Sequence, residues 1–323
     1  MSLWKRIRHR IEAASVRLLA WLIPRLSRGR CVRLANALGE IAFRLDRRGR
    51  AVALANVECA LGVALSTEQR LEIVRASYRN FARTMIDLFW APALARPDNR
   101  HWLRIHFWEG HVELLDVQKR GAVLLTLHLG NWEWASLSAP WGGHPCIAVA
   151  EEFKNPALAG IFRSLRERTG QTIIPQENSM MKMLRTVKRG GCTALLTDLS
   201  LRPQQASTVI RAFGMEMCVS MLHAVLAQRG EAAIVPAMCI PDADGGATIH
   251  YLAPLKFPAD ASLQQISQMC WDHFEPHIRA RPGLWLWPYK HFRYKPRGTS
   301  DAYPFYANES GAFEKLRRKE LGA

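Results

Sequence analysis

No run in this 323-residue chain is long and apolar enough to suggest a bilayer-crossing helix. Such a helix needs about 20 apolar residues, whereas the best stretch, Leu18 to Ile23, is bounded by Arg17 and Pro24. A secretory signal is not expected either, because no small-residue cleavage site follows that stretch and Arg25, Arg28 and Arg30 come next. The seven cysteines are an odd number and include no C-x-x-C pair. That pattern suits reduced thiols in a cytoplasmic setting and argues against a disulfide framework. The chain has no G-x-G-x-x-G, Walker loop or G-x-S-x-G elbow, which removes dinucleotide, nucleotide and serine-hydrolase readings at motif level. His101, His106 and His111 lack a partner at metal-ligand spacing, so no metal site is expected. There is no internal repeat or low-complexity tract.

Acidic residues are in short supply. Lys and Arg number 44 against 28 Asp and Glu, a formal net charge of +16. Ten of those sixteen charges come from residues 1–50, where Lys5 and twelve arginines face only Glu12, Glu40 and Asp46. Such a surface attracts anionic partners. A nucleic-acid-binding protein would explain the charge, but no nucleic-acid module is present, so no nucleic acid is expected as a partner. Ile7, Ile11, Ala14, Leu18 and Trp21 recur every three or four residues among Lys5, Arg6, Arg8, Arg10 and Arg17. This predicts an amphipathic helix over 3–23 that either lies in an anionic headgroup layer or packs on the rest of the chain.

From Ser66 the chain offers a capping box with Gln69, followed by Leu71, Val74, Tyr78, Phe81, Met85 and Leu88 at helical spacing. Up to about residue 115 mostly helices are predicted, interrupted at Pro92 and in the Pro97 to Asn99 turn. The pattern then changes. Ala122 to Leu127 is a short apolar run after Gly121, and similar runs recur at Cys146 to Ala150, Thr172 to Ile174, Cys192 to Thr197, Ala232 to Met238 and Ala247 to Leu252. Between them lie helical patterns such as Met180 to Lys188 and Val219 to Gln228. The expected fold class is α/β, a mixed sheet flanked by helices with the N-terminal helical region packed on it.

Directly after the first of these strands comes His128-Leu129-Gly130-Asn131-Trp132-Glu133. With His128 ending the strand and Glu133 in the first turn of the next helix, the carboxylate can fold back onto one ring nitrogen and leave the other as a base. Gly130 would allow a substrate close to the backbone, at a strand end where ligands bind in open α/β sheets.

The HLGNWE segment resembles the H-x4-D/E motif of glycerolipid-type acyltransferases, in the form typical of the lipid A biosynthesis (late) acyltransferases. Asn56 to Phe89 resembles the helical region that precedes the family's catalytic strand, and Lys154-Asn155-Pro156 with Arg166 and Arg168 resembles its "NP…R" segment. Lys188 to Gly191 leading to Asp198, Ala212-Phe213-Gly214, and Trp285 through Pro296 are similar to its later elements. The chain departs from the pattern at Leu199, where many members have Gln, and at Trp287-Pro288-Tyr289, where "WLH" is usual. Both departures bear on the substrate.

The resemblance implies transfer of a fatty acyl chain from a thioester to a hydroxyl of a lipid A precursor in lipopolysaccharide biosynthesis. Another membrane glycolipid or phospholipid is the alternative acceptor, and a non-catalytic membrane-binding protein is the alternative of another class. His128 is then the base and Glu133 its partner. Arg166 or Arg168, or the Gly130 and Asn131 backbone, would serve the oxyanion. Asp198 would hold an arginine, contact the headgroup or cap a turn. The expected partners are acyl carrier protein, before acyl coenzyme A, the lipid acceptor and an anionic membrane surface, with no cofactor beyond the thioester. The expected location is the cytoplasmic face of the inner membrane. The organisation implied is a membrane-associating segment over 1–30, one acyltransferase domain over 31–310 and a basic tail over 311–323.

Overall fold

The N-terminal third is helical, as its capping and periodicity predict. The computed structural model describes residues 3–62, 64–109, 120–141, 146–150, 155–168, 170–175, 179–299 and 302–322. His111 and Lys154 lie outside them. The first helices are α1 (Leu3–Leu22), α2 (Arg28–Leu45), α3 (Arg47–Leu61) and α4 (Thr67–Leu94). The capping box of α4 forms: Gln69 N–H donates to Ser66 Oγ at 3.3 Å, and Ser66 N–H to Gln69 Oε1 at 2.8 Å. Pro92 does not interrupt this helix. It falls in the last turn, where its missing N–H costs a single bond before α4 ends at Leu94. α2 packs closely along α4 because Gly39 faces Arg79, whose Cα would lie 2.5 Å from any Cβ added there.

Later elements alternate. They are β1 (Leu103–His106), β2 (Ala122–Thr126), α5 (Trp132–Trp141), β3 (Cys146–Ala150), α6 (Pro156–Glu167), β4 (Thr172–Pro175), α7 (Ser179–Lys188) and β5 (Cys192–Leu196). A hairpin of β6 (Ser207–Ala212) and β7 (Met215–Ser220) follows, then α8 (Leu222–Gly230), β8 (Ala233–Pro241), β9 (Ala247–Tyr251) and α9 (Leu263–Ala280). Two short strands, β10 (Tyr294–Lys295) and β11 (Asn308–Glu309), precede α10 (Gly311–Leu321).

Seven strands form one sheet in the order β1-β9-β8-β2-β5-β3-β4. Within this sheet, among the described residues, β8 and β9 pair antiparallel and the other neighbours parallel, so the sheet is mixed, and helices flank it. β2 sits near the middle. Val123, Leu125 and Leu127 enter the apolar cluster on one face, with Val187 of α7 and Leu226 of α8. Ala122 enters the cluster on the other face, with Trp134 of α5 and Leu88 of α4. Burial on both faces explains why its sequence is continuously apolar.

Two readings change. β1 lies within the stretch expected to be helical, and pairs with β9 at the sheet edge through Leu103↔Ala247. The hairpin β6–β7 precedes α8, and Val219 belongs to β7, so α8 starts at Leu222 rather than Val219. Within the basic tail, Phe313 of α10 is buried and stacks on Tyr294 with ring centroids 5.6 Å apart. Among the described residues no helix is long and apolar enough to cross a membrane.

Candidate active site

Register brings the site together. β2 and β5 run parallel with Thr126 opposite Leu196, so two residues further along each chain His128 meets Asp198. The His128 ring Nδ1 lies 2.8 Å from Asp198 Oδ1, and the His128 backbone N–H donates to Oδ2 at 2.9 Å. Trp285 Nε1–H donates to the same Oδ2 at 2.8 Å. Burial pushes the fully enclosed Asp198 carboxyl upward, but the facing His128, then His291 and the Trp285 donor, outweigh it and hold the pKa at about 2. An ionised carboxylate therefore accepts a hydrogen bond from Nδ1–H and leaves His128 Nε2 as the basic nitrogen.

His291 supports this arrangement from beneath. Its ring is stacked on Trp285 with centroids 4.0 Å apart, and its nitrogens lie 3.0 Å from the Asp198 carbonyl and 2.8 Å from the Leu286 carbonyl. Burial lowers its pKa, opposed by Asp198 and the two carbonyls. On another side of His128, Trp132 meets its ring edge-on at 5.0 Å, and Phe81 lies 6.1 Å from Trp132.

Glu133 does not fold back onto His128. It is in the first turn of α5, as expected, but both of its oxygens take the Arg166 guanidinium: Nε donates to Oε2 at 2.9 Å and Nη2 to Oε1 at 2.6 Å. This fork-to-fork pair is planar and directional. Burial lowers the Arg166 pKa, yet the Glu133 hydrogen bond and charge raise it by more. α6 carries Arg166 there. Asn155 caps α6 by accepting from Ala157 N–H at 3.1 Å, Pro156 fills its first turn, and Phe162 packs on Phe89 of α4 at 5.8 Å. Arg168 ends the same helix and is exposed.

The backbone donors expected at the oxyanion are already engaged. Gly130 N–H donates to the Leu284 carbonyl at 3.0 Å and Asn131 N–H to the Cys239 carbonyl at 2.7 Å. The close approach that Gly130 permits is made by β8, not by open space: at φ 66° any Cβ would sit 2.1 Å from Cys239 O. The Asn131 side chain is buried too, accepting from Trp134 N–H at 3.0 Å as the cap of α5. Asp198 neither holds an arginine nor caps a turn, because its oxygens serve His128 and Trp285.

Two carboxylates thus have separate partners, Asp198 the His128 imidazole and Glu133 the Arg166 guanidinium. The sequence signal for Asp198 was present: His128 and Asp198 each lie seven residues after a strand-initiating glycine, Gly121 and Gly191. Trp285 and His291 carried no separate signal. Elsewhere, His106 lies against His250, with ring centroids 5.4 Å apart. Among the described residues no group of three or more His, Cys, Asp or Glu stands together as metal ligands.

Residues 5–294 match the family described as bacterial lipid A biosynthesis acyltransferase. The chain belongs to this family. A relative, the phosphatidylinositol mannoside acyltransferase of Mycolicibacterium smegmatis, is 27% identical over 224 residues, which cover 66% of this chain and 70% of that protein. The protein is an acyltransferase, and its family match runs through His128, Glu133, Arg166, Asp198 and Trp285.

Proposed function

We propose that this acyltransferase moves a fatty acyl chain from acyl carrier protein to a hydroxyl of a lipid A precursor at the cytoplasmic face of the inner membrane. The observation that carries the chemistry is the His128–Asp198 contact of 2.8 Å, which frees Nε2 to take a proton. The acceptor hydroxyl gives its proton to Nε2 as its oxygen bonds to the thioester carbonyl carbon, and Asp198 stabilises the imidazolium. Arg166, held flat by Glu133, supplies the positive charge for the oxyanion. Collapse of the intermediate breaks the carbon–sulfur bond, and the leaving thiolate recovers the proton from His128. The base and the oxyanion cation are thus each fixed by a carboxylate of their own.

The partners follow from charge. Acyl carrier protein, the bilayer surface and a phosphorylated acceptor are all anionic, and α1 presents exposed Trp4, Ile7, Ile11, Leu18 and Trp21 among its basic residues. A second acceptor class, phosphatidylinositol mannosides, is favoured by the mycobacterial relative.

The test offers acyl carrier protein and coenzyme A thioesters in turn, with a lipid A precursor or a phosphatidylinositol mannoside as acceptor. His128→Ala is expected to cost about 10²- to 10⁴-fold in kcat, and Asp198→Asn about 10⁴-fold through the wrong tautomer. Full activity in either variant would remove the base assignment. Mass spectrometry of the acylated product decides between the acceptors.

A further inference from the structure

Helix α4 buries Val74, Tyr78, Ile86 and Leu88 on its inner face, and Ser77, Asn80, Thr84 and Asp87 are buried with them. They are spaced three, four and three residues apart, so they form one stripe. Every member bonds to a segment that builds the site. Ser77 Oγ accepts from Trp287 N–H at 3.2 Å and donates to the Trp285 carbonyl. Asn80 Nδ2 donates to the carbonyls of Leu284 and Gly130, both at 2.9 Å. Thr84 Oγ1 shares its proton between the Gly130 carbonyl at 3.1 Å and the Asn80 carbonyl of its own helix at 3.0 Å. Asp87 Oδ2 accepts from Asn131 Nδ2 at 2.7 Å, and its carbonyl accepts from Trp134 Nε1 at 3.0 Å.

The Asp87 carboxylate is itself fixed from a second helix. Arg28 opens α2 and makes a two-pronged pair with Asp87, its Nη2 at 2.9 Å from Oδ2. Arg28 Nε donates to the Gly245 carbonyl at 2.6 Å, and its guanidinium lies 4.6 Å over the Trp134 ring. Such a pair is a poor way to gain stability. Removing two charges from water costs several kcal/mol per ion, and apolar replacements of similar volume are often neutral or better. What the pair does supply is direction, since a forked guanidinium and a carboxylate meet in one geometry.

We propose that the Ser77–Asn80–Thr84–Asp87 stripe, locked by Arg28, is a positioning device for both halves of the site. It sets the His128–Asp198 pair through the Trp285 segment, and the Glu133–Arg166 pair through Gly130, Asn131 and the start of α5. None of these residues touches the reacting atoms. The inference rests on the reading that His128, Asp198 and Arg166 carry the chemistry.

Two variants separate positioning from packing: Asn80→Leu, and the paired Arg28→Met with Asp87→Leu, which removes both charges of the forked pair and leaves Arg83 on the Gly245 and Gly246 carbonyls. Each is measured in the full chain for acyl transfer from palmitoyl thioesters of acyl carrier protein and of coenzyme A to phosphatidylinositol mannoside and to a lipid A precursor, for Tm, and for amide exchange over residues 129–134. The expected result is a kcat about 10²-fold lower, with KM within about threefold of wild type, as expected of an interaction realised in the transition state. Exchange should rise at Gly130 and Asn131 but not in β2 and β5. Unchanged kcat, or losses in kcat that merely track Tm across the two variants, overturns the proposal. Wild-type protein that transfers no acyl group to either acceptor instead sinks the functional reading. The positioning claim then stands or falls on exchange alone, and unchanged protection at Gly130 and Asn131 refutes it.

Discussion

Gly130 shows how tightly one residue can be specified. Its φ of 66° belongs to the left-handed region that side chains avoid, and the Cys239 carbonyl occupies the place of a Cβ. Neither problem can be relieved alone, because Gly130 is held by hydrogen bonds to Leu284, Asn80 and Thr84. Gly214, at φ 81°, has a similar backbone but open space around it. Gly214→Ala is therefore expected to cost about 1 kcal/mol, the left-handed penalty alone. Gly130→Ala adds a backbone collision and is expected to cost at least about 3 kcal/mol together with most of the activity. Urea denaturation of the two variants checks the ranking, and a Gly130→Ala protein as stable as Gly214→Ala would contradict the account.

Elements divide by how local their causes are. β2, β3, β4, β5, β8 and β9 are legible because each is an apolar run, in most cases beside a glycine or a turn, and α4 is legible because its capping box and period agree. The β6–β7 hairpin is not. Arg211 and Glu216 interrupt its apolar character, and its turn places Phe213 at φ 51° and Gly214 at φ 81°, where Asn-Gly would have been the recognisable signal. The site divides in the same way. His128 and Glu133 can be found from one short motif, whereas the Asp198 contact joins two strands seventy residues apart, and its signal is the equal spacing of His128 and Asp198 from Gly121 and Gly191. The exposed face of α1 belongs to the legible class and makes its own prediction. Ile11 and Leu18 are 61% and 59% exposed, so the double change to Glu should leave Tm where it is. Co-sedimentation with phosphatidylglycerol vesicles should fall by at least about 10-fold, since two apolar anchors are lost and two positive charges are offset. Undiminished binding would mean that α1 is not the membrane contact.

Over the whole molecule, buried histidines set the response to acid. His223 at the start of α8 is enclosed, neither ring nitrogen has a hydrogen-bond partner among the described residues, and burial lowers its pKa to about 4. Burial also lowers the pKa values of His250, His273, His277 and His291. A histidine kept neutral by the fold leaves stability intact above its unfolded pKa of about 6.5, and the unfolded chain takes up the extra proton as pH falls from there toward 4. Stability must therefore drop over that window. Asp198 does not share in the loss, because its carboxyl stays ionised down to about 2 and its contribution fails only below the usual carboxylate range. For His223 alone the loss between pH 7.5 and pH 5 is about 2 kcal/mol. His223→Leu, which fills similar space with no titrating group, should flatten the dependence by that amount in urea titrations at the two pH values. A variant that keeps the wild-type slope would show that His223 is not held neutral by its burial, and would shift the acid response to the histidines of β9 and α9 and to His291.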